Sequence, residues 1–229
     1  MIQKEDYILL KQHPALALFS IEDFEKIASE VKLRKISKGQ ILFFEDDRRD
    51  RFFLLKKGYI KLEQYDETAN YSYIHYIGDK DFFPLGGIFY EEYYRYTATA
   101  VGEVEYFSLP VDLYEEYSRK DKQQLLYILK EISKNLELHE LRLRNNNLAG
   151  ARERVFQALS ILCYQFCQEN PLLPFPLTSI DLSKLAATSR ESVYQAIKEF
   201  KKQGLIEYQG KRLIYLKKED FLRTYKKDQ

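Results

Sequence analysis

Between positions 20 and 30 apolar residues recur at helical spacing. Phe24, Ile27 and Ala28 share one face, and Ser20 followed three residues later by Asp23 supplies a helix-start signal. From about Lys38 to Leu109 the pattern changes to short apolar runs: Ile41–Phe44, Phe52–Leu55, Tyr59–Leu62, Tyr71–Ile77, Thr97–Val101 and Val104–Leu109. Turn signals at Lys38-Gly39, Asp46-Asp47, Lys57-Gly58, Gly78-Asp79 and Gly102-Glu103 separate them. Many short strands with tight turns predict a sandwich or barrel.

The period lengthens again after Val111, and the pattern predicts one long helix to about Asn145. Along it Leu125, Leu129, Ile132, Leu136, His139 and Leu143 are spaced 4, 3, 4, 3 and 4 apart. That is the seam of a helix that pairs with a second copy; the competing reading is an amphipathic helix packed on its own β-domain. Asn145-Asn146-Asn147 breaks the pattern and reads as a hinge. A helix over 150–168 follows, then a loop with Pro171, Pro174 and Pro176.

Thr178-Ser179-Ile180-Asp181 carries the next start signal, with Leu182, Leu185 and Ala186 as an apolar face. Ala187-Thr188-Ser189 turns the chain. A second helix runs from Arg190 to about Gln203, with Val193, Ile197 and Phe200 facing inward, and Gly204 ends it. Leu205–Tyr208, Gln209-Gly210 and Leu213–Leu216 form a hairpin. Helix, turn, helix and hairpin is a winged helix-turn-helix layout. Such a second helix lies in the DNA major groove with its N-terminal residues at the base edges. Arg190, Glu191, Tyr194 and Gln195 occupy those positions as expected base readers, since Arg, Glu and Gln side chains match the edges of guanine, cytosine and adenine. Thr178, Lys184, Ser189, Lys198, Lys201, Lys211 and Arg212 are the expected backbone contacts. The alternative is a helical pair that docks protein, with solvated charges.

Charge supports the DNA reading. The 229 residues carry a net charge of only +1, but it is unevenly placed. Residues from Leu148 onward hold 14 Lys and Arg against 9 Asp and Glu; the preceding stretch is net acidic. A basic C-terminal third attracts phosphate polyanions, although clustering of surface lysines accounts for the same count. No run is long and apolar enough to span a bilayer, and the N-terminus lacks the apolar core of a signal peptide, so a cytoplasmic location is expected.

The stretch Leu182-Ser183-Lys184-Leu185-Ala186-Ala187-Thr188-Ser189-Arg190-Glu191-Ser192-Val193-Tyr194-Gln195-Ala196-Ile197-Lys198 resembles the helix-turn-helix of the Crp/Fnr (cAMP receptor protein / FNR) regulator family. Lys38–Phe43, Phe53–Leu62, Gly78–Phe83 and Tyr96–Ala100 resemble that family's cyclic-nucleotide-binding β-roll. The resemblance implies an α+β chain: a cyclic-nucleotide-binding-like β-roll sensor over 1–110, a dimerisation helix and hinge over 111–147, and a winged helix-turn-helix over 148–229. It implies a homodimer on a palindromic operator, activation through RNA polymerase (repression is equally compatible), and a small-molecule effector.

Two departures matter. The family's recognition-helix arginine is Gln195 here, so the usual TGTGA half-site does not carry over. The effector cassette reads Pro84-Leu85-Gly86-Gly87, then Arg95-Tyr96: the resemblance keeps Arg95 as a phosphate-binding position but puts Leu85 for the ribose-binding glutamate and Tyr96 for the serine. Leucine cannot accept from a ribose hydroxyl, so the effector is expected not to be cAMP.

No cysteine precedes Cys163, which excludes the cysteine-held iron–sulfur cluster of the family's oxygen-sensing branch. Cys163 and Cys167 lie four apart, as buried apolar residues or as a redox pair. His13, His75 and His139 are dispersed, and no metal or cofactor is expected. His139, on the seam, fits a register-setting polar residue or a pH or ligand sensor. No nucleophile–base constellation or phosphate-cradling loop points to an enzyme. The expected function is a Crp/Fnr-type transcription regulator with a non-cAMP effector. The alternatives are a ligand-independent or Cys163/Cys167 redox-modulated regulator, and a ligand-binding scaffold that docks protein.

Overall fold

A computed structural model describes residues 3–65, 72–147 and 150–227. Tyr71 and Leu148 therefore lie outside the described residues. The chain divides into two compact units, one of residues 1–64 and 75–136 and the other of residues 65–74 and 137–229.

The first unit begins with three helices that sequence periodicity reveals only in part: α1 (Lys4–Gln12), α2 (Pro14–Ala17) and α3 (Ile21–Glu30). Ser20 caps α3 by accepting from the Asp23 amide at 3.1 Å. Strands β1 (Lys32–Ile36), β2 (Ile41–Phe43), β3 (Arg51–Lys57), β4 (Ile60–Tyr65), β5 (Ser72–Ile77), β6 (Phe82–Phe83), β7 (Thr97–Ala100) and β8 (Val104–Pro110) form two four-stranded sheets, ordered β1-β8-β3-β6 and β2-β7-β4-β5. The first sheet is buried on both faces, which explains its unbroken apolar runs. On β3, Phe52 and Leu54 join the core under the helices, while Phe53 and Leu55 join the core between the sheets. On β8, Phe107 and Leu109 alternate with Val104 and Tyr106 in the same way. Gly58 turns β3 into β4 at φ +102°, where a Cβ would collide with the Glu103 carbonyl oxygen.

The single helix expected over 111–145 is two: α4 (Val111–Lys120) and α5 (Lys122–Asn146). Asp121 causes the break. Its backbone is extended, and its carboxylate accepts from the amides of Gln123 at 2.7 Å and Gln124 at 3.0 Å, an N-cap for α5. The helix also runs through Asn145 and Asn146, so the asparagine run ends it rather than interrupting it. Gln124 is buried and donates to Ala15 O and Tyr114 OH, both at 2.8 Å.

In the second unit α6 (Ala151–Phe166) packs against α7 (Ser179–Leu185), α8 (Arg190–Lys202) and α9 (Lys218–Lys227), a last helix beyond the expected hairpin. The hairpin is β9 (Ile206–Gln209) with β10 (Arg212–Tyr215). The proline loop adds an edge to it: Leu173 N donates to Leu213 O at 2.8 Å, and Tyr215 N to Pro171 O at 2.9 Å. Tyr215, fully buried, donates its hydroxyl to Leu159 O at 2.9 Å and ties the hairpin to α6. Among the described residues, no helix is long and apolar enough to cross a membrane.

Candidate nucleic-acid interface

Helix α7 opens with a reciprocal cap: Thr178 Oγ1 accepts from the Asp181 amide at 3.0 Å and donates to Asp181 Oδ2 at 2.7 Å. Leu182 and Ala186 bury its apolar side. The turn into α8 passes through Ala187 at φ +46°, left-handed backbone that costs a non-glycine residue energy. Arg154 of α6 braces this turn by donating Nε to Ala186 O at 3.3 Å. Ser189 then caps α8, accepting from the Ser192 amide at 3.1 Å.

Helix α8 is strongly two-sided. Val193, Ala196 and Phe200 are buried, Ala196 taking the deep position expected for Ile197, which is half-buried. Arg190, Glu191, Tyr194, Gln195 and Lys198 all project outward, Tyr194 with 64% of its surface exposed. They form two adjacent ridges, since residues four apart stack along a helix. One carries Arg190, Tyr194 and Lys198; the other carries Glu191, Gln195 and Glu199. At the wing, Lys211 and Arg212 are exposed beside Gly210 at φ +61°. Lys201 is exposed too, but its ammonium lies 4.7 Å from the Tyr208 ring centroid, against the wing. Lys184 is half-buried, and the Thr178 hydroxyl is engaged in its own helix cap.

The strap between β6 and β7 holds the expected effector residues. Leu85 belongs to the core under the helices, Pro84 and Gly87 are buried, Gly86 is exposed and Tyr96 is half-buried. Arg95 is satisfied from within: Nε donates to both Glu91 carboxylate oxygens at 2.6 Å, and Nη2 donates to Glu91 and to Tyr90 OH, the latter at 2.8 Å. Glu91 accordingly pushes the Arg95 pKa up. Gly87, at φ +78°, leaves the space this carboxylate fills; a Cβ there would collide with it. Sequence reasoning missed Glu91, although its four-residue spacing from Arg95 was legible.

The strap is bolted to α4. Arg49 pairs with Glu115 at 2.6 Å, with side chains only 3% and 8% exposed. It also donates Nε to Glu91 O at 3.0 Å and its amide to Glu92 O at 2.7 Å. Arg119 donates to Phe89 O at 3.1 Å and pairs with Glu115 at 3.3 Å.

Helix α5 resolves its two competing readings by having two faces. Ile128, Leu138 and Leu141 pack on their own chain. The expected seam points away: Leu125, Leu129, Ile132, Leu136 and Leu143 are between 36% and 65% exposed. His139 is half-buried with Nε2 3.3 Å from Tyr73 OH; burial first, then Arg142, lowers its pKa. Cys163 and Cys167 are both fully buried, and Cys163 is held as the thiol by its hydrogen bond with Cys167 and then by burial.

Two family models match the chain: a cyclic nucleotide-binding domain over 33–121 and a Crp-like helix-turn-helix domain over 153–225. Among curated relatives, the HTH-type transcriptional regulator ArcR of Staphylococcus epidermidis is 27% identical over 185 residues, covering 78% of this chain and 79% of that protein. ArcR of Staphylococcus aureus is 24% identical over 189 residues, covering 78% and 77%. Among solved structures, FixK2 from Bradyrhizobium japonicum superposes with a TM-score of 0.73 at 15% identity, covering 84% of this chain and 96% of that one. The c-di-GMP responsive global regulator CLP of Xanthomonas campestris gives 0.67 at 15% identity, covering 86% and 99%. At that identity the structural matches speak for the fold alone.

Proposed function

The chain belongs to the Crp/Fnr family of transcription regulators and carries its DNA-binding helix-turn-helix, and from that premise we propose that it works as a homodimer on a palindromic operator, governed by a small-molecule effector other than cAMP. The observation that carries the proposal is the outward face of α8, where Arg190, Glu191, Tyr194 and Gln195 stand clear of a helix whose other side is buried. Arg190 and Glu191 read base edges, and Gln195 replaces a guanine-seeking arginine with an adenine-matching amide, which alters the preferred half-site. Ser189, Lys198, Lys211 and Arg212 hold phosphates, with Thr178, Lys184 and Lys201 beside them.

Pairing through the exposed leucine row of α5 sets two recognition helices about one DNA turn apart, ~34 Å. In this scheme 1–110 is the sensor, 111–147 the dimer helix and hinge, and 148–229 the DNA-binding domain. The effector binds near Arg95 and favours one of two dimer states. The bound regulator engages RNA polymerase in the cytoplasm.

A second reading, regulation without a small ligand, is favoured by one observation: Arg95 already holds the Glu91 carboxylate. Its redox version gains little, because buried, protonated thiols are poor nucleophiles.

Selection of bound sequences from random DNA by the full-length protein tests the proposal. A palindromic site is expected. Arg190→Ala and Glu191→Ala should each weaken binding to it by about 5- to 150-fold, the value of a good base contact. Unchanged affinity in both variants refutes base reading by α8. Native mass spectrometry of the purified dimer then separates a ligand-bound from a ligand-free regulator.

A further inference from the structure

The ridge of α8 that carries Glu191 and Gln195 faces a groove of about 300 Å³, whose opposite wall is Ala151 and Arg152 at the start of α6. The same ridge ends in Glu199, a negative charge on the helix proposed to enter DNA. Arg152 engages that charge. Its Nε donates to Glu199 Oε1 at 2.8 Å, its Nη2 to Gln203 Oε1 at 3.3 Å, and its guanidinium lies 5.2 Å from the Phe200 ring centroid. Gln203 Nε2 donates to the same Glu199 oxygen at 2.8 Å, so the carboxylate is drawn from both sides. Arg152 also reaches Glu153 at 3.5 Å. Each nitrogen of the fork is thus directed to a protein acceptor.

Resting on the proposed base reading by α8, we propose that Arg152 is a positioning residue for DNA recognition: it neutralises Glu199 and holds that carboxylate against α6, so that the ridge offers DNA Glu191 and Gln195 without a second free anion. An unpaired carboxylate within a Debye length of the phosphates, ~8–10 Å, repels them. It also shifts freely along the ridge it shares with the two base readers. Glu191 is retained as the functional acceptor, and Glu199 is the acid that must be silenced. Sequence order hides the pair, whose members stand 47 residues apart.

The test uses the full-length protein, its selected operator, and anisotropy titrations of Arg152→Ala, Arg152→Lys, Glu199→Gln and the double variant Arg152→Ala/Glu199→Gln. Arg152→Ala should weaken binding about five- to tenfold, in the range of coupled contacting pairs. Glu199→Gln should bind like the wild type. The double variant should recover most of the loss, and Arg152→Lys part of it. A purely structural latch predicts no rescue, because the double variant lacks the ion pair altogether. The slope of log K against log salt should be unchanged in Arg152→Ala; a slope shallower by about 0.9 would mean that Arg152 itself holds a phosphate and would overturn the assignment. Wild-type affinity in Arg152→Ala, or a double variant as weak as the single, overturns it as well. If the wild-type protein retains no DNA, base reading fails and this inference with it; if it binds and Arg152→Ala is silent, this inference alone fails.

Discussion

Truncating Leu136 to alanine should loosen the proposed dimer by an amount the structure sets. On the single chain Leu136 leaves 57% of its surface exposed. Full burial of a leucine side chain is worth about 1.5–3 kcal/mol, so covering the exposed 57% contributes ~0.9–1.7 kcal/mol per protomer. A twofold axis counts the residue twice, giving ~1.7–3.4 kcal/mol per dimer. Alanine keeps only its methyl group, so most of this is lost, and the dimer Kd should rise about 20- to 200-fold at ~1.4 kcal/mol per decade. Alanine is at least as good a helix former as leucine, so far-UV circular dichroism should not change. Sedimentation equilibrium over a dilution series reads the constant directly. A wild-type chain that stays monomeric at micromolar concentration, or a variant whose dissociation constant is unmoved, refutes the assignment of this row to the dimer seam.

Two further outcomes concern the sensor unit. Glu115→Ala leaves the Arg49 guanidinium buried without its carboxylate and should cost about 3–5 kcal/mol in urea unfolding; replacing both partners, Arg49→Met with Glu115→Leu, should restore much of it, and equal loss in both proteins refutes the argument. His13 accepts at Nδ1 from the Ala15 amide at 3.2 Å and donates from Nε2 to Lys80 O at 2.8 Å, which fixes its neutral form, and burial is the main cause of its lowered pKa. With the folded pKa below the unfolded one, the unfolded chain binds the proton first; stability should hold above about pH 6.5 and fall as the pH drops below it. His13→Gln should flatten that fall, and an unchanged profile refutes the assignment.

What was legible in the sequence depended on how local its cause was. Helix α8 was readable because its cap, its period and its terminal glycine lie within fifteen residues of one another. The split between α4 and α5 was also local, yet it hinged on a single aspartate: Asp121 stops one helix by starting the next. Strand β1, Lys-Leu-Arg-Lys-Ile, has no buried residue of its own and exists through its register with β8, from Lys32 opposite Ser108 to Ile36 opposite Val104. Nothing local marks such an edge strand. Helix α9 did carry a signal, in Phe221, Leu222 and Tyr225, which are all buried. The interface residues on α8 were readable for the same reason as the helix itself. Arg152 and Arg154 were not, because what gives each its role is an acceptor on another element.

The strap shows why a pocket residue and its control need not be neighbours in sequence. Phe89, Glu91 and Glu92 give their carbonyl oxygens to Arg119 and Arg49, and Glu115 binds both arginines. An anion that took Arg95 from Glu91 would release a carboxylate from the space above Gly87 while the backbone on either side stayed bonded to α4. The strap then has two courses: it moves and takes the arginines with it, or it breaks hydrogen bonds whose buried donors find no water. The second course leaves Arg49 short of acceptors in a site where it is already 97% buried, a cost that scales with burial. Coupled movement is therefore the cheaper response, and α4 ends at the aspartate that starts the seam helix. Under the effector reading this chain of bonds is the physical route from Arg95 to α5, and Arg49→Lys, which keeps the charge but not the fork, should uncouple ligand from DNA affinity while leaving each measurable alone.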